Sequence, residues 1–272
     1  MSVVKLIMIG DVVGEPGLDV LEKLLPPLIA KTGADFVVVN GENAAAGFGI
    51  TETEKVRILN AGADLITSGN HVWEKREFWP VMDTDGGARI LRPANYPGQP
   101  VGQGWKLIKK NTIPWLVINL QGRELMKAID CPFRAFDSVS ETENALALGP
   151  PIVLVDFHAE STREKEAFGF YLDGRASVVA GTHTHVQTAD DRVLPQGTAY
   201  ITDLGMTGVS GGVIGMDTKV CQDRARTQVL YRMTCAAPSS AQPPEVQGIL
   251  VEIDSETRKA VSIRRLRETL EL

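Results

Sequence analysis

Apolar residues along the chain gather in short, β-branched runs, and between several of these the spacing switches to a helical one. Val3–Ile9, Phe36–Val39, Leu65–Ser68, Ile113–Leu120, Ile152–Phe157 and Val178–Ala180 are predicted as buried strands. Between the first two, Leu18, Leu21, Leu25, Leu28 and Ile29 recur at helical spacing, which predicts a β-α-β start. Thr51 to Leu59 predicts a short helix, with Thr51 as N-cap and Glu54 completing a capping box, and Glu160 to Tyr171 predicts another. From Thr198 the texture turns to strands: Thr198–Thr202, Thr227–Met233, Gln247–Asp254 and Ala260–Arg265. This order predicts a layered α/β architecture around a central pair of sheets, in one domain spanning 1–272 without internal repeats. The Pro- and Gly-rich stretch Arg92 to Gly104 predicts a long surface loop, and Ala236 to Glu245 a disordered excursion.

Composition narrows the classes. The 272 residues are 43% hydrophobic and 23% charged, ordinary for a globular protein. The net charge of −6 argues against general binding of polynucleotides, whose affinity comes mostly from neutralised phosphates. Cys131, Cys221 and Cys235 form no CxxC pair, so neither a disulfide framework nor a cysteine metal site is expected, and the setting reads as reducing and cytoplasmic. The apolar N-terminal run is too short for a signal peptide or membrane span, so no membrane partner is expected.

The chemistry is legible in where the histidines fall. There are four, His71, His158, His183 and His185, each just after a predicted strand, at the C-terminal end where α/β proteins place their sites. Asp11, Glu42, Asn43 and Asn70 occupy the same kind of position after earlier strands. Glycines precede Asp11, Glu42 and Asn70 directly and let side chains approach a small centre. His183 and His185 are two residues apart, so on an extended segment they would point the same way and could serve one metal or two adjacent ones. Singly, each element has a plainer reading, as a turn, a cap or a hydrogen-bonded histidine. Four such loops in one topological position point to a metal site. Imidazoles with oxygen ligands suit manganese, iron or zinc better than calcium or magnesium alone, and the lack of cysteine argues against a structural zinc knot.

The ordered series Gly10-Asp11, Gly41-Glu42-Asn43, Gly69-Asn70-His71, His158 and Gly181-Thr182-His183-Thr184-His185 resembles the calcineurin-like metallophosphoesterase superfamily. The strings GDVVGEPG, NGENAAAGFGIT, SGNHVWEK, RPANYP, DFHAE and TDLGMTG resemble its YmdB-type phosphodiesterase branch, over roughly the first 210 residues. Val13 stands where the superfamily usually has a histidine, and Glu42 where it has an aspartate; both are features of that branch. Val72 follows His71 where an acidic residue is usual, which leaves Glu74 or a backbone carbonyl to orient His71.

The resemblance implies an α/β/β/α sandwich with its active site at the C-terminal ends of the strands. It also implies a two-metal centre, iron or manganese ahead of zinc. Asp11, Asn43 and His185 would hold one ion, Asn70, His158 and His183 the other, and Glu42 would bridge. His71 would be the proton donor rather than a ligand. Two ions about 3.5–4 Å apart acidify a bridging water for in-line attack on phosphorus. The implied substrates are 2′,3′-cyclic nucleotides; the residues that bind substrate are not named by any motif. Rival readings are a phosphomonoesterase or nuclease on the same cage, and a nucleotide- or RNA-linked regulatory binding protein. A homo-oligomer is left open. Arg92–Pro97 could place Tyr96 as a base-stacking residue or form a rigid loop. The glycine-rich stretch Gly205–Gly212 could line a substrate pocket or simply turn.

Overall fold

The computed structural model describes residues 2–84, 87, 89–98, 100–143 and 149–271. In chain order the elements are β1 (Val3–Ile9), β2 (Asp11–Val12), α1 (Gly14–Thr32), β3 (Phe36–Asn40), α2 (Glu52–Asn60), β4 (Leu65–Thr67), α3 (Trp79–Met82), β5 (Trp105–Lys110) and β6 (Ile113–Gln121). They continue with α4 (Pro132–Glu143), β7 (Ile152–His158), α5 (Thr162–Tyr171), β8 (Val178–Thr182), β9 (Arg192–Val193), β10 (Ala199–Ile201), β11 (Met206–Val209), α6 (Thr218–Thr227), β12 (Pro244–Asp254) and β13 (Ala260–Thr269).

The strands form two sheets. One runs β2-β11-β12-β1-β3-β4, with β13 also paired to β12; the other runs β5-β6-β7-β8-β10-β9. The two-residue side-chain period of a strand explains the layering. On β1 and β3, Leu6, Met8, Phe36 and Val38 face the second sheet and pack with its Trp115, Val117, Leu154 and Val178. The alternate residues Ile7, Ile9, Val37 and Val39 face outward and pack under α1 and α2. On the far side, Leu116, Ile118, Val155 and Phe157 are covered by Phe136 of α4 and Phe168 of α5. Phe36 stacks on Trp115 with ring centroids 4.7 Å apart, joining the two sheets. The result is the α/β/β/α sandwich. Within each sheet the central strands are parallel, β1 with β3 and β4, and β6 with β7, β8 and β10. Parallel order gathers their C-terminal ends into one crevice.

The capping box forms as expected, with the Thr51 side chain accepting from Thr53 N–H at 3.3 Å and Glu54 accepting from Thr51 N–H at 2.8 Å. Three expectations are corrected. Thr227–Met233 is not a strand. The chain is helical through Thr227, capped by the Asp217 side chain on Val220 N–H, and then turns at Gln228, whose φ is 60°. This helix buries no residue, so it shows no apolar stripe for a periodicity to reveal. Arg92–Gly104 is not a surface loop throughout: Arg92 and Asn95 are buried, and Ala94 N–H donates to Asn119 O at 2.7 Å. Gln99 lies outside the described residues. Ala236–Glu245 is exposed only over Ala237–Ala241, because Ala236 is buried and β12 begins at Pro244. No helix among the described residues is long and apolar enough to cross a membrane.

Candidate metal centre

The strand ends deliver the histidines and carboxylates to one crevice. His158, the last residue of β7, is fully buried, and its Nε2 is a point of convergence. Glu42 Oε1 lies 3.0 Å from it, Asn70 Oδ1 3.1 Å and His183 Nδ1 3.0 Å. The donor atoms of Glu42, His158 and His183 all fall within 4.8 Å of one another, the spacing of ligands around one cation. Asp11, on the short strand β2, sits behind them. Its Oδ1 is 3.9 Å from His158 Nδ1 and its Oδ2 accepts the His183 N–H at 3.2 Å. Gly69 permits this crowding, since a Cβ there would fall 2.2 Å from His158 Cδ2 and 2.4 Å from Glu42 Oε2.

Each of the three cage histidines has one ring nitrogen taken by an oxygen. Thr182 Oγ1 donates to Asp156 Oδ1 at 2.7 Å, which leaves it to accept from His158 Nδ1–H at 2.9 Å. Glu160 Oε2 takes His183 Nε2 at 3.2 Å, and Ile214 O takes His185 Nδ1 at 2.9 Å. Such acceptors fix the tautomer so that the other nitrogen carries a lone pair for a metal. Asp156 is itself held by Thr67 and by Asn40 Nδ2 at 3.0 Å.

The electrostatics match a site built for cations. Burial pushes the Asp11 carboxyl up to about 6, against the pull of His185 and His158. Burial would also raise Glu42, but His158 more than offsets it and brings Glu42 to about 2. Burial would lower His158, yet the carboxylates of Glu42, Asp11 and Asp156 lift it to about 9. His183 is pushed down to about 3 by burial and by the neighbouring His158. Two further oxygens, Asp11 Oδ1 and Asn43 Oδ1, are buried without a hydrogen-bond partner among the described residues. Buried acceptors left without donors are costly unless a cation satisfies them, so the donor set fits divalent metal.

Glu42, Asn70, His158 and His183 therefore meet directly, with Asp11 touching two of them. His185 is near enough to Asp11 to pull on its titration. Asn43 turns its amide nitrogen to Gly47 O at 3.1 Å and leaves its oxygen free. The expectation that His183 and His185 share an extended segment is corrected. β8 ends at Thr182, and the two histidines take φ of 104° and 64°, so the chain turns between them. His71 lies at the rim, with its N–H donating to Glu42 Oε2 at 3.1 Å. Its Nδ1 is 3.4 Å from Glu74 Oε1, the side chain that the sequence offers as one of its two candidate supports. The edge of Phe48 packs against its ring at 5.1 Å.

Tyr96 is braced rather than free for stacking, with its hydroxyl donating to Gln121 Oε1 at 3.0 Å and its ring edge-on to Trp73 at 5.8 Å. The glycine-rich stretch after Gly205 is partly the strand β11. Its Met206, Ser210 and Gly212 border, with His185, a cavity of about 600 Å³. Thr182, Asp156, Glu160 and Asn40 are supports that the strand-end pattern in the sequence does not single out. A charged residue inside the apolar run of β7 was the available signal for Asp156.

The arrangement has close counterparts. The family model for YmdB-like protein matches residues 7–266. A 2′,3′-cyclic-nucleotide 2′-phosphodiesterase of Bacillus subtilis is 44% identical over 263 residues, 96% of each chain. The crystal structure of a phosphatase from Mycoplasma pneumoniae superposes with a TM-score of 0.89 at 30% identity, over 99% of this chain and 94% of that one. A Thermus thermophilus protein of known structure superposes with a TM-score of 0.86 at 35% identity, over 97% and 99% of the two chains. With matches of this extent across both sheets and the crevice between them, the chain belongs to the YmdB-like family, on a metallophosphoesterase fold.

Proposed function

We propose that the chain is a metal-dependent phosphodiesterase that hydrolyses 2′,3′-cyclic nucleotides. The observation that carries this reading is the convergence of Glu42, Asn70 and His183 on Nε2 of a fully buried His158. The substrate class is supported by the 44% identity to the Bacillus subtilis enzyme. In this reading Asp11, Asn43 and His185 would hold one divalent ion, Asn70, His158 and His183 would hold a second, and Glu42 would serve both. Iron or manganese suits this mixed oxygen and imidazole set, ahead of zinc. Bound there, the ions supply Lewis acidity, which acidifies a water and offsets phosphoryl charge.

The chain's own residues do the rest. Thr182, Glu160 and Ile214 hold the three imidazoles with one nitrogen facing inward. A ribose alkoxide is a poor leaving group, and His71 gives it a proton. Glu74 holds the His71 ring through Nδ1, which leaves the other nitrogen for the substrate. A positioned acid of this kind contributes about 10²–10⁴-fold. The test offers the manganese-loaded full chain 2′,3′-cyclic AMP, 3′,5′-cyclic AMP, p-nitrophenyl phosphate and single-stranded RNA. The expected result is fastest cleavage of 2′,3′-cyclic AMP and a loss of about 100-fold in kcat on His71→Ala. Preference for the monoester or RNA, or an unchanged kcat in His71→Ala, overturns the reading.

A further inference from the structure

The loop that leaves β6, Gly122–Lys127, carries features that the cage does not use. It is held rigidly from below. Gly122 N–H donates to His158 O at 3.0 Å. The buried Glu164 carboxylate accepts the N–H groups of Arg123 and Glu124, each at 3.0 Å. The Glu124 side chain in turn accepts from Ser161 Oγ at 2.6 Å and from Arg163 at 2.9 Å. A Cβ at Gly122 would meet Ala159 Cβ at 2.5 Å, so the loop lies hard against the segment that leads into α5.

Held this way, Leu125 takes a φ of 63°, a region that strains a bulky side chain. It is also left 87% exposed, the highest value among the large hydrophobic residues described. Strain of this sort persists where the surroundings impose it, and it gathers at ligand-binding positions. Leu125, Met126 and Lys127 wall a cavity of about 250 Å³ that Asn70, His71 and His183 also line. The apolar wall thus faces the same residues that handle the phosphate in the reading above.

We propose that Leu125 and Met126 form an apolar platform on which the nucleobase of the substrate packs while its cyclic phosphate sits at the cage. This rests on the cyclic-nucleotide reading. The cavity is just under the about 300 Å³ at which small-ligand pockets begin, a size for one nucleoside and not for a strand. Covering the two side chains with a base removes apolar surface from water. Apolar contact carries no hydrogen-bond code, so the platform takes all four bases, the larger purines somewhat better.

The test compares 2′,3′-cyclic AMP with glycerol 1,2-cyclic phosphate, which keeps the five-membered cyclic diester and lacks a base. Both are given to the metal-loaded full chain and to its Leu125→Ala and Leu125→Met variants. The ratio of kcat/KM for the nucleotide over the glycerol ester is expected to fall about tenfold in Leu125→Ala, through KM, and to recover in Leu125→Met. A ratio that does not change, or a drop carried by kcat on both esters alike, overturns the platform. If the unaltered chain cleaves neither ester, the cyclic-diester reading fails and takes this one with it. If it cleaves both and residue 125 leaves the ratio untouched, the platform alone fails.

Discussion

Lys165 and Asp203 meet at 2.7 Å with their side chains only 1% and 0% exposed, and the same carboxylate oxygen accepts the N–H of Thr184 at 3.0 Å. Thr184 lies between His183 and His185, so this buried pair pins the turn that sends the two histidines in different directions. Lys165→Met would strand the Asp203 charge in the interior. Removing one partner of such a pair costs about 3–5 kcal/mol. Equilibrium unfolding in urea is expected to show an unfolding free energy lowered by that amount, read as a lower midpoint at an unchanged slope, and an unchanged midpoint would mean the pair contributes nothing.

Gly69 allows a close approach of ligand side chains in the crevice. Gly69→Ala places a methyl group 2.2 Å from His158 Cδ2 and 2.4 Å from Glu42 Oε2. Overpacking of this kind costs about 1–3 kcal/mol, and here the groups displaced are proposed ligands. The variant is expected to keep its far-UV circular dichroism while losing most of its bound metal on elemental analysis. Full metal retention would place the ligands elsewhere.

Thr182 is the hinge between His158 and Asp156. Thr182→Val keeps the shape and removes the hydrogen bonds to His158 and Asp156, with a longer one from Asn40 Nδ2 at 3.4 Å, which frees the His158 tautomer. Loss of such a support weakens metal binding about 10–100-fold. Competition against a chelator of known affinity measures this, and an unshifted competition curve would contradict the role.

The titrations give the pH dependence a sign. In the metal-free chain His158 is raised to about 9, so its contribution to stability is complete below about 6.5 and is lost as pH rises through 9. Glu42 is lowered to about 2, so its contribution is present above about 4.5 and is lost as pH falls toward 2. Metal binding needs the neutral imidazole, and uptake at pH 7.5 therefore releases about one proton from His158. Calorimetry in buffers of different ionisation enthalpy is expected to find that proton, with affinity rising up to about pH 9. Uptake without proton release would contradict the pairing of His158 with Glu42.

Much of this was legible in the sequence because period and position carry it. The apolar runs of β1, β3, β6 and β7 mark strands buried on both faces, and the residues placed just past strand ends mark the crevice. What stayed hidden depends on contacts between distant segments. The backbone reversal at His183 and His185 follows from Asp203, which lies about twenty residues on and gives no local signal. Lys165 reads as an ordinary polar helix position until α5 packs it inward. α6 carries no apolar stripe, and the exposed Val229 and Leu230 beyond it mimic a strand.

The central claim is a centre for two ions, and the most direct measurement is metal content per chain. The full protein, purified without oxygen or chelators, is analysed by inductively coupled plasma mass spectrometry alongside Glu42→Ala. Two divalent ions per chain are predicted for the unaltered protein, with loss of at least one in Glu42→Ala. A single ion per chain, or two ions retained in Glu42→Ala, would contradict the account.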